Sequence, residues 1–253
     1  MIHVLVASEK IRINKFISDS GFCSRREADM DIEDGKVTVD GVVATVGMLV
    51  SGDQDIRVDG RRVTSTARTV LIAVNKPVGI VCTSEMREKD NIVDFVNYPK
   101  RIFPIGRLDK DSEGLILMTN DGDLVNRMMR ARYVHEKEYI VTVHKTITKA
   151  FIEKMGAGVP ILGTVTRKCL IERTGNKKFK IVLTQGLNRQ IRRMCEHLGY
   201  EVVRLKRVRI LNIELGDLKE GEYRDVTDNE KKTLFAIIGD SDENDTTRKK
   251  IEK

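Results

Sequence analysis

Apolar residues in the first sixty positions recur every three to four residues, and then every two. In "IRINKFISDSG", Ile13, Phe16 and Ile17 fall on one helix face, and Gly21 suits its end. In "SRREADMDIEDG", Ser24 and Glu27 stand at capping-box spacing, each side chain able to accept the other's backbone N–H, and Gly35 suits the stop. The period falls to two in "KVTVDGVVATV", around Asp40-Gly41, and a second Asp-Gly, at 59 and 60, follows "QDIRV". Asp-Gly between alternating segments predicts a two-residue hairpin, because both turn positions need positive φ. Residues 10–62 are thus expected to form two short helices leading into a small twisted sheet.

The polar stretch "VTSTART", residues 63–69, reads as a linker. Beyond it, over 70–240, strand-like segments dominate: "TVLIAVN", "GLILMTN", "EYIVTVH", "FKIVLTQ" and "YEVVRLKRVRI". Helical periodicity appears in "DLVNRMMR" and "RQIRRMCEHLG". Strands and helices do not alternate regularly, so the fold class expected is α+β, with a mostly antiparallel or mixed sheet. The last segment, 241–253, "SDENDTTRKKIEK", is charged and almost free of apolar residues, and is expected to be a disordered tail.

Composition adds a partner. Lys and Arg number 45 against 38 Asp and Glu, a formal net charge of +7. A basic surface suits a polyanion, with nucleic acid foremost. Aromatics are only 5% and Trp is absent, which argues against a platform of many stacking rings. Cys23, Cys82, Cys169 and Cys195 form no C-x-x-C pair, so no zinc cluster is indicated, and reduced thiols of a cytosolic protein are expected. Apolar runs fall far short of the roughly 20 residues of a bilayer span. In "MIHVLVASEKIR" the charges follow the apolar stretch, the reverse of a signal peptide. A soluble, cytoplasmic protein without membrane contact is expected.

Several segments carry candidate chemistry. In "RQIRRMCEHLG", Ile191, Met194, Cys195 and Leu198 form a core-facing stripe, leaving Arg189, Arg192 and Glu196 on the other side. With Arg193, Arg204, Lys206, Arg207 and Arg209, seven basic residues lie between 189 and 209 against two acidic ones, Glu196 and Glu201. They read either as a solvated face or as a phosphate-binding groove. Lys76 enters a turn, "NKPVG", between two apolar strands. Tyr139 shares a strand face with Lys137, Val141 and Val143, suited to core packing or to stacking on a base. Carboxylates gather in "GRLDKDSEGLILMTNDGD". Asp121 and Asp123 fit turn and cap chemistry. Asp109, Asp111 and Glu113 precede the strand, where a turn explains them poorly. Asp109 and Asp111 have the spacing of a divalent-metal pair, but neither a regular ligand loop nor a His cluster accompanies them. A carboxylate flanked by Arg107 and facing the arginine helix could instead stay ionised and serve as nucleophile or base.

Taken together, "GRLDKDSEGLILMTNDG", "NKPVG", "KEYIV" and "GLNRQIRRMCEHLGY" resemble, in order, the motifs of pseudouridine synthases that modify ribosomal RNA, and residues 11–60 resemble an S4-type RNA-binding domain. The match covers nearly the whole chain apart from the tail, and is nearest to the branch acting on single uridines in structured RNA. The resemblance implies a pseudouridine synthase fold behind the S4 domain, no cofactor or metal, and a monomer acting on 23S rRNA, with tRNA as a candidate second substrate. It implies that Asp109 is the essential aspartate and that Tyr139 stacks on the uracil and serves as a late base. Arg107 would help displace and replace the target nucleotide. Arg192 would pair with the aspartate, with Arg189 as the alternative, and Leu187, which departs from the usual polar residue, would tune substrate choice. Lys76, Arg189, Arg193 and, in the front domain, Arg12, Lys15, Arg25 and Arg26 would contact RNA. Two rivals remain: a non-catalytic RNA-binding or ribosome-assembly factor, and a metal-dependent nuclease using Asp109 and Asp111. A pure binder gains nothing from Asp109, which repels phosphate.

Overall fold

The computed structural model describes residues 10–64, 69–85, 87–129 and 135–251, with side chains through 239. The chain divides into two compact units: residues up to Thr69 together with Asn120–Gly122, and Val70–Thr119 together with the residues from Asp123 on.

In the first unit, β1 (Ile11–Arg12) leads into α1 (Ile13–Asp19), followed by α2 (Arg25–Glu33). The capping box forms: Ser24 Oγ accepts from the Glu27 N–H at 3.1 Å, and Glu27 accepts from the Ser24 N–H at 2.7 Å. Next come β2 (Val37–Val39), β3 (Val42–Val43), β4 (Leu49–Val50), β5 (Ile56–Val58) and β6 (Arg61–Arg62). The first Asp-Gly joins β2 to β3 with φ of 51° and 83°, the second joins β5 to β6 with 47° and 75°, and the sheet runs β3-β2-β5-β6. Ile13, Ile17, Ala28 and Ile32 from the helices bury against Val37, Ile56 and Val58. Val63, expected to open the linker, belongs to this core: it is 4% exposed, and its N–H donates to Ile56 O at 2.8 Å. It follows directly on the exposed Arg61 and Arg62 of β6. Positions 65–68 of the expected linker lie outside the described residues.

The second unit contains, in order, β7 (Leu71–Lys76), α3 (Ile92–Val96), β8 (Phe103–Ile105), β9 (Glu113–Thr119), α4 (Gly122–Met129), β10 (Lys137–Val143), α5 (Lys149–Ala157), β11 (Pro160–Ile161), β12 (Thr164–Val165), β13 (Leu170–Arg173), β14 (Lys178–Leu183), α6 (Gln190–His197), β15 (Val202–Ile210), β16 (Ile213–Glu214), β17 (Tyr223–Asp225) and α7 (Asp228–Ile251). One sheet runs β13-β14-β10-β15-β9-β7-β17, with β8 added to β9 and β16 to β15. Its pairings are antiparallel except the parallel contact of β15 with β9, so the unit is α+β with a mixed sheet. Every residue of β9 is buried, which is why it reads as a continuous apolar run rather than an alternating one. Pleating sends Ile116 and Met118 to a cluster with Ile72, Val74, Ile92 and Leu108, and Leu115 and Leu117 to another with Leu71, Leu124, Leu234 and Ile238. A third cluster joins β10, β14 and β15 to α5 and α6 through Val141, Phe179, Ile181, Leu205, Phe151, Ile191 and Met194.

One expectation is corrected. After Lys76 the chain turns at Gly79, with φ 96°, but no second strand follows: Val81 forms only an isolated bridge to Asn91. Strand β7 already lies between β9 and β17, so no edge is free for a hairpin partner. Helix α7 runs to Ile251, and buried Leu234 and Ile238 anchor its first half.

The start of α7 is tied to β17 by a charge pair. Arg224 donates to both oxygens of Glu230 at 2.8 Å, and Glu230 also accepts from the Thr227 N–H at 2.8 Å and its hydroxyl at 3.0 Å. Arg224 is the main reason the Glu230 carboxyl sits at about 2, below the usual 4.5. A depressed carboxyl pKa stabilises the fold above its unfolded value, and the gain is lost as pH falls through the folded one. Glu230→Gln should therefore lower stability by about 1–2 kcal/mol at neutral pH. Thermal unfolding of both proteins should show the difference narrowing below about pH 4.5, where the unfolded carboxyl begins to protonate.

Candidate active site

The loop between β8 and β9 carries the aspartates. Gly106, at φ 79°, opens it, and Leu108 anchors it: the side chain is 7% exposed and its N–H donates to Cys82 Sγ at 3.3 Å. With Leu108 turned inward, Asp109 stands at the surface, its side chain 32% exposed. Lys110 points away, to Asp90 at 3.0 Å.

Two arginines of the α6 segment meet this loop. Arg189 donates to both oxygens of Asp111, at 3.0 and 2.7 Å. Arg192 places Nε 3.3 Å from Asp111 Oδ2 and donates through Nη2 to the Asp111 carbonyl at 2.7 Å. Arg189 above all holds the Asp111 carboxyl below the usual range. Asp109 is treated differently. Its approaching cation is Arg189, whose Nη1 lies 3.8 Å from Oδ2, an ion-pair distance without a hydrogen bond. Among the described residues nothing donates a hydrogen bond to the Asp109 carboxylate. Of the two arginines named for the aspartate, the one the structure brings to Asp109 is the alternative, Arg189. Arg189 sits at the N-cap of α6 in the left-handed region, φ 49°, while Arg192, one turn on, braces Asp111 and the Val202 carbonyl.

The loop before α6 is held from within. Leu187 donates its N–H to Gln190 Oε1 at 3.0 Å and packs part-buried on the third cluster. Arg193 donates to the Asn188 carbonyl and side chain at 3.2 and 3.3 Å. These residues, expected to bind substrate, hold the loop that presents Arg189. Sequence reasoning missed Gln190, 5% exposed; its signal was an uncharged polar residue beside the Ile191 stripe.

Tyr139 lies half-buried on β10, opposite Arg207 of β15, and packs against both the Leu108 cluster and the α6 cluster. Arg107 is exposed two residues before Asp109. Lys76, expected to touch substrate, is corrected: it is 0% exposed, and Nζ donates to the Pro77 and Ile80 carbonyls at 2.8 Å each. Burial pushes its pKa down. The basic strand is likewise not one open groove. Arg204 pairs with Glu113 at 2.6 Å and Arg209 with Glu136 and Glu138 at 3.2 and 3.3 Å, while Arg207 is buried. Glu113 thus meets the arginine strand. Among the described residues no three His, Cys, Asp or Glu side chains gather as metal ligands. Nor, among them, is any helix long and apolar enough to cross a membrane.

In the first unit, Arg12, Arg25 and Arg26 are exposed and form no ion pair with the described residues. Lys15 is engaged with Asp19 at 2.6 Å, so its expected role in binding RNA competes with that bond. Changing the three arginines together to Gln should raise the KM for RNA and leave kcat nearly intact. The slope of log affinity against log salt should shrink by about 2–3, for three lost phosphate contacts.

The first unit exposes arginines, and in the second a mixed sheet sets a loop aspartate within ion-pair reach of an arginine. Residues 70–197 match the RNA pseudouridylate synthase family and residues 11–56 the S4 domain. The chain belongs to the RNA pseudouridine synthase family, and it is an isomerase. It is 56% identical to the dual-specificity RNA pseudouridine synthase RluF of Escherichia coli (strain K12) over 239 residues, 94% of this chain and 82% of that one. It is 35% identical to ribosomal large subunit pseudouridine synthase B of Bacillus subtilis (strain 168), over 89% of this chain and 96% of the other. A crystal structure of a pseudouridylate synthase aligns with a TM-score of 0.63 at 28% identity, covering 87% of this chain and 97% of its own.

Proposed function

We propose that this enzyme converts a specific uridine of 23S ribosomal RNA to pseudouridine, takes a transfer RNA as a second substrate, and acts as a cytoplasmic monomer with Asp109 as its reacting group. The observation that carries the chemistry is the contrast between neighbouring carboxylates. Asp111 is consumed by Arg189 and Arg192, whereas Asp109 stands beside Arg189 with no hydrogen bond on its oxygens. Such a carboxylate is open to a substrate atom. The choice of RNA is supported by relatives whose names state a large-subunit target and dual specificity.

The reaction breaks N1–C1′, turns the uracil and joins C5 to C1′. C5 loses a proton and N1 gains one, so neither a redox partner nor an energy donor is needed. The uridine must first leave its stack, at a cost of a few kcal/mol, which phosphate contacts offset. Arg107, exposed beside Asp109, suits the filling of the vacated position, and Tyr139 suits stacking on the turned base. The rival reading, a pure RNA binder, leaves the unbonded Asp109 without purpose.

The test is to map pseudouridine in ribosomal and transfer RNA from cells with and without this protein. One 23S position and one tRNA position should lose the modification, and re-expression should restore both. If both RNA classes were unchanged, the substrate assignment would fail. Loss in 23S alone would confine the enzyme to ribosomal RNA.

A further inference from the structure

Beneath the site lie cations that none of the steps above uses. Arg207 is 3% exposed; its Nε donates to the Leu115 carbonyl at 2.6 Å, its Nη1 to the Arg107 carbonyl at 3.5 Å, and its buried Nη2 has no partner. Its guanidinium therefore lies under the stretch that bears Asp109. Lys137, two residues before Tyr139 on the same face of β10, donates to the His135 carbonyl at 3.1 Å. No carboxylate among the described residues pairs with Arg207, Lys137 or the neighbouring Lys76. A bulge directs this arrangement: the β10–β15 register slips between Glu138 and Tyr139, so that Arg207 rather than Val208 lies opposite Tyr139. Leaving buried charge without a counter-charge is costly, and a fold needing only packing here would be served by apolar side chains. Lys137 bears that cost visibly: burial, aided by Arg207, brings its pKa down to about 8.

We propose that the part-buried Lys137 and the buried Arg207 form a cationic floor beside Tyr139, which stabilises the negative charge uracil acquires when N1–C1′ breaks. The proposal rests on the pseudouridine synthase reading and adds charge-stabilising residues to it. The N1–C1′ electron pair leaves with the uracil and spreads over O2 and O4, while an Asp109 oxygen takes its place on C1′. After the ring turns, its C5=C6 electrons form C5–C1′ and release the carboxylate. That step ends the charge on the ring, after which C5 gives up its proton and N1 takes one up. A positive field fixed in a desolvated floor favours the charged stage over the neutral ones at either end.

The test separates electrostatics from architecture by changing the leaving group. Rupture of the N-glycosidic bond is followed in single turnover on an RNA carrying uridine, and on the same RNA carrying 5-fluorouridine, whose more acidic base needs less help. Lys137→Met keeps the packed stem and removes the charge. It should slow rupture by about 10- to 100-fold on uridine, and by a clearly smaller factor on 5-fluorouridine, with RNA affinity and thermal unfolding near wild type. Equal slowing on both substrates, or none, would overturn the proposal. Should that variant not fold, Lys137→Arg and Arg207→Lys decide. Both keep the charge, so their uridine-to-fluorouridine rate ratio should stay at the wild-type value, and a shifted ratio would refute the floor. Wild-type turnover on the uridine RNA is the control for the underlying reading, since its absence would refute that reading rather than the floor.

Discussion

Asp109→Asn should yield a protein that folds, binds RNA and makes no detectable pseudouridine. The exchange is nearly isosteric, and it breaks no hydrogen bond, because none of the described residues donates one to this carboxylate. Arg189 keeps its two bonds to Asp111, so the loop stays clamped to α6. A negative charge disappears from a surface that meets phosphates, so affinity should hold or rise. Nucleophile and base capacity vanish together, since a neutral amide supplies neither, and a loss of at least about 10³-fold in single-turnover rate is expected. Asp111→Asn weakens the hold on two arginines but leaves the open carboxylate, and should cost only part of the rate. Asp121→Asn, in the turn after β9, should cost little. Mass-spectrometric counting of pseudouridine, filter binding and thermal unfolding on each variant decide the matter. Appreciable turnover by Asp109→Asn would remove this loop from the chemistry.

Gly114→Ala should have the largest effect on stability. Gly114 lies at φ 103°, and a Cβ there would stand 2.2 Å from the Arg207 carbonyl oxygen and 2.7 Å from its nitrogen. Both obstacles are backbone of β15, at the one parallel pairing of the sheet, so no side-chain rotation relieves the clash. Either the strands separate, losing the junction that carries the Asp109 loop, or β9 distorts. The expected loss is about 3 kcal/mol or more, with a melting temperature lower by roughly 6–12 °C or failure to fold. Gly175→Ala, whose Cβ would meet only the Lys178 Cβ at 3.6 Å, is the control and should lie within about 1 kcal/mol of wild type. Equal melting temperatures for Gly114→Ala and wild type would mean that the β9–β15 approach is looser than drawn.

Local features were legible in the chain because their causes are local. The Ser24–Glu27 cap, the two Asp-Gly hairpins and the Ile191–Met194–Cys195 stripe each follow from residues a few positions apart. The five longest strands were visible as β-rich runs. Position along a strand says less about the face it turns. Arg207 looked like one more member of a basic ribbon, and Lys76 like a residue at the mouth of a turn. A bulge and the crowding of β7 between two strands send both inward, and neither event is written near those residues. The arginine that meets Asp109 was open for the same reason. Arg189 and Arg192 share a helix face by spacing, and the left-handed turn at Arg189, with Asp111 drawing both, separates them.

The sequence by itself determined the two-part organisation, the α+β class, the family and the loop that carries Asp109, because periodicity, turn chemistry and ordered motifs are properties of neighbours along the chain. Only the tertiary structure decided which cations are spent on carboxylates, which are buried, and which carboxylate is left open. Those outcomes depend on strand order, on one parallel pairing and on one register slip, which bring Gly114, Tyr139 and Arg207 together across long separations in sequence. A charged residue's role is set by what lies across from it, and that partner is chosen by the fold as a whole.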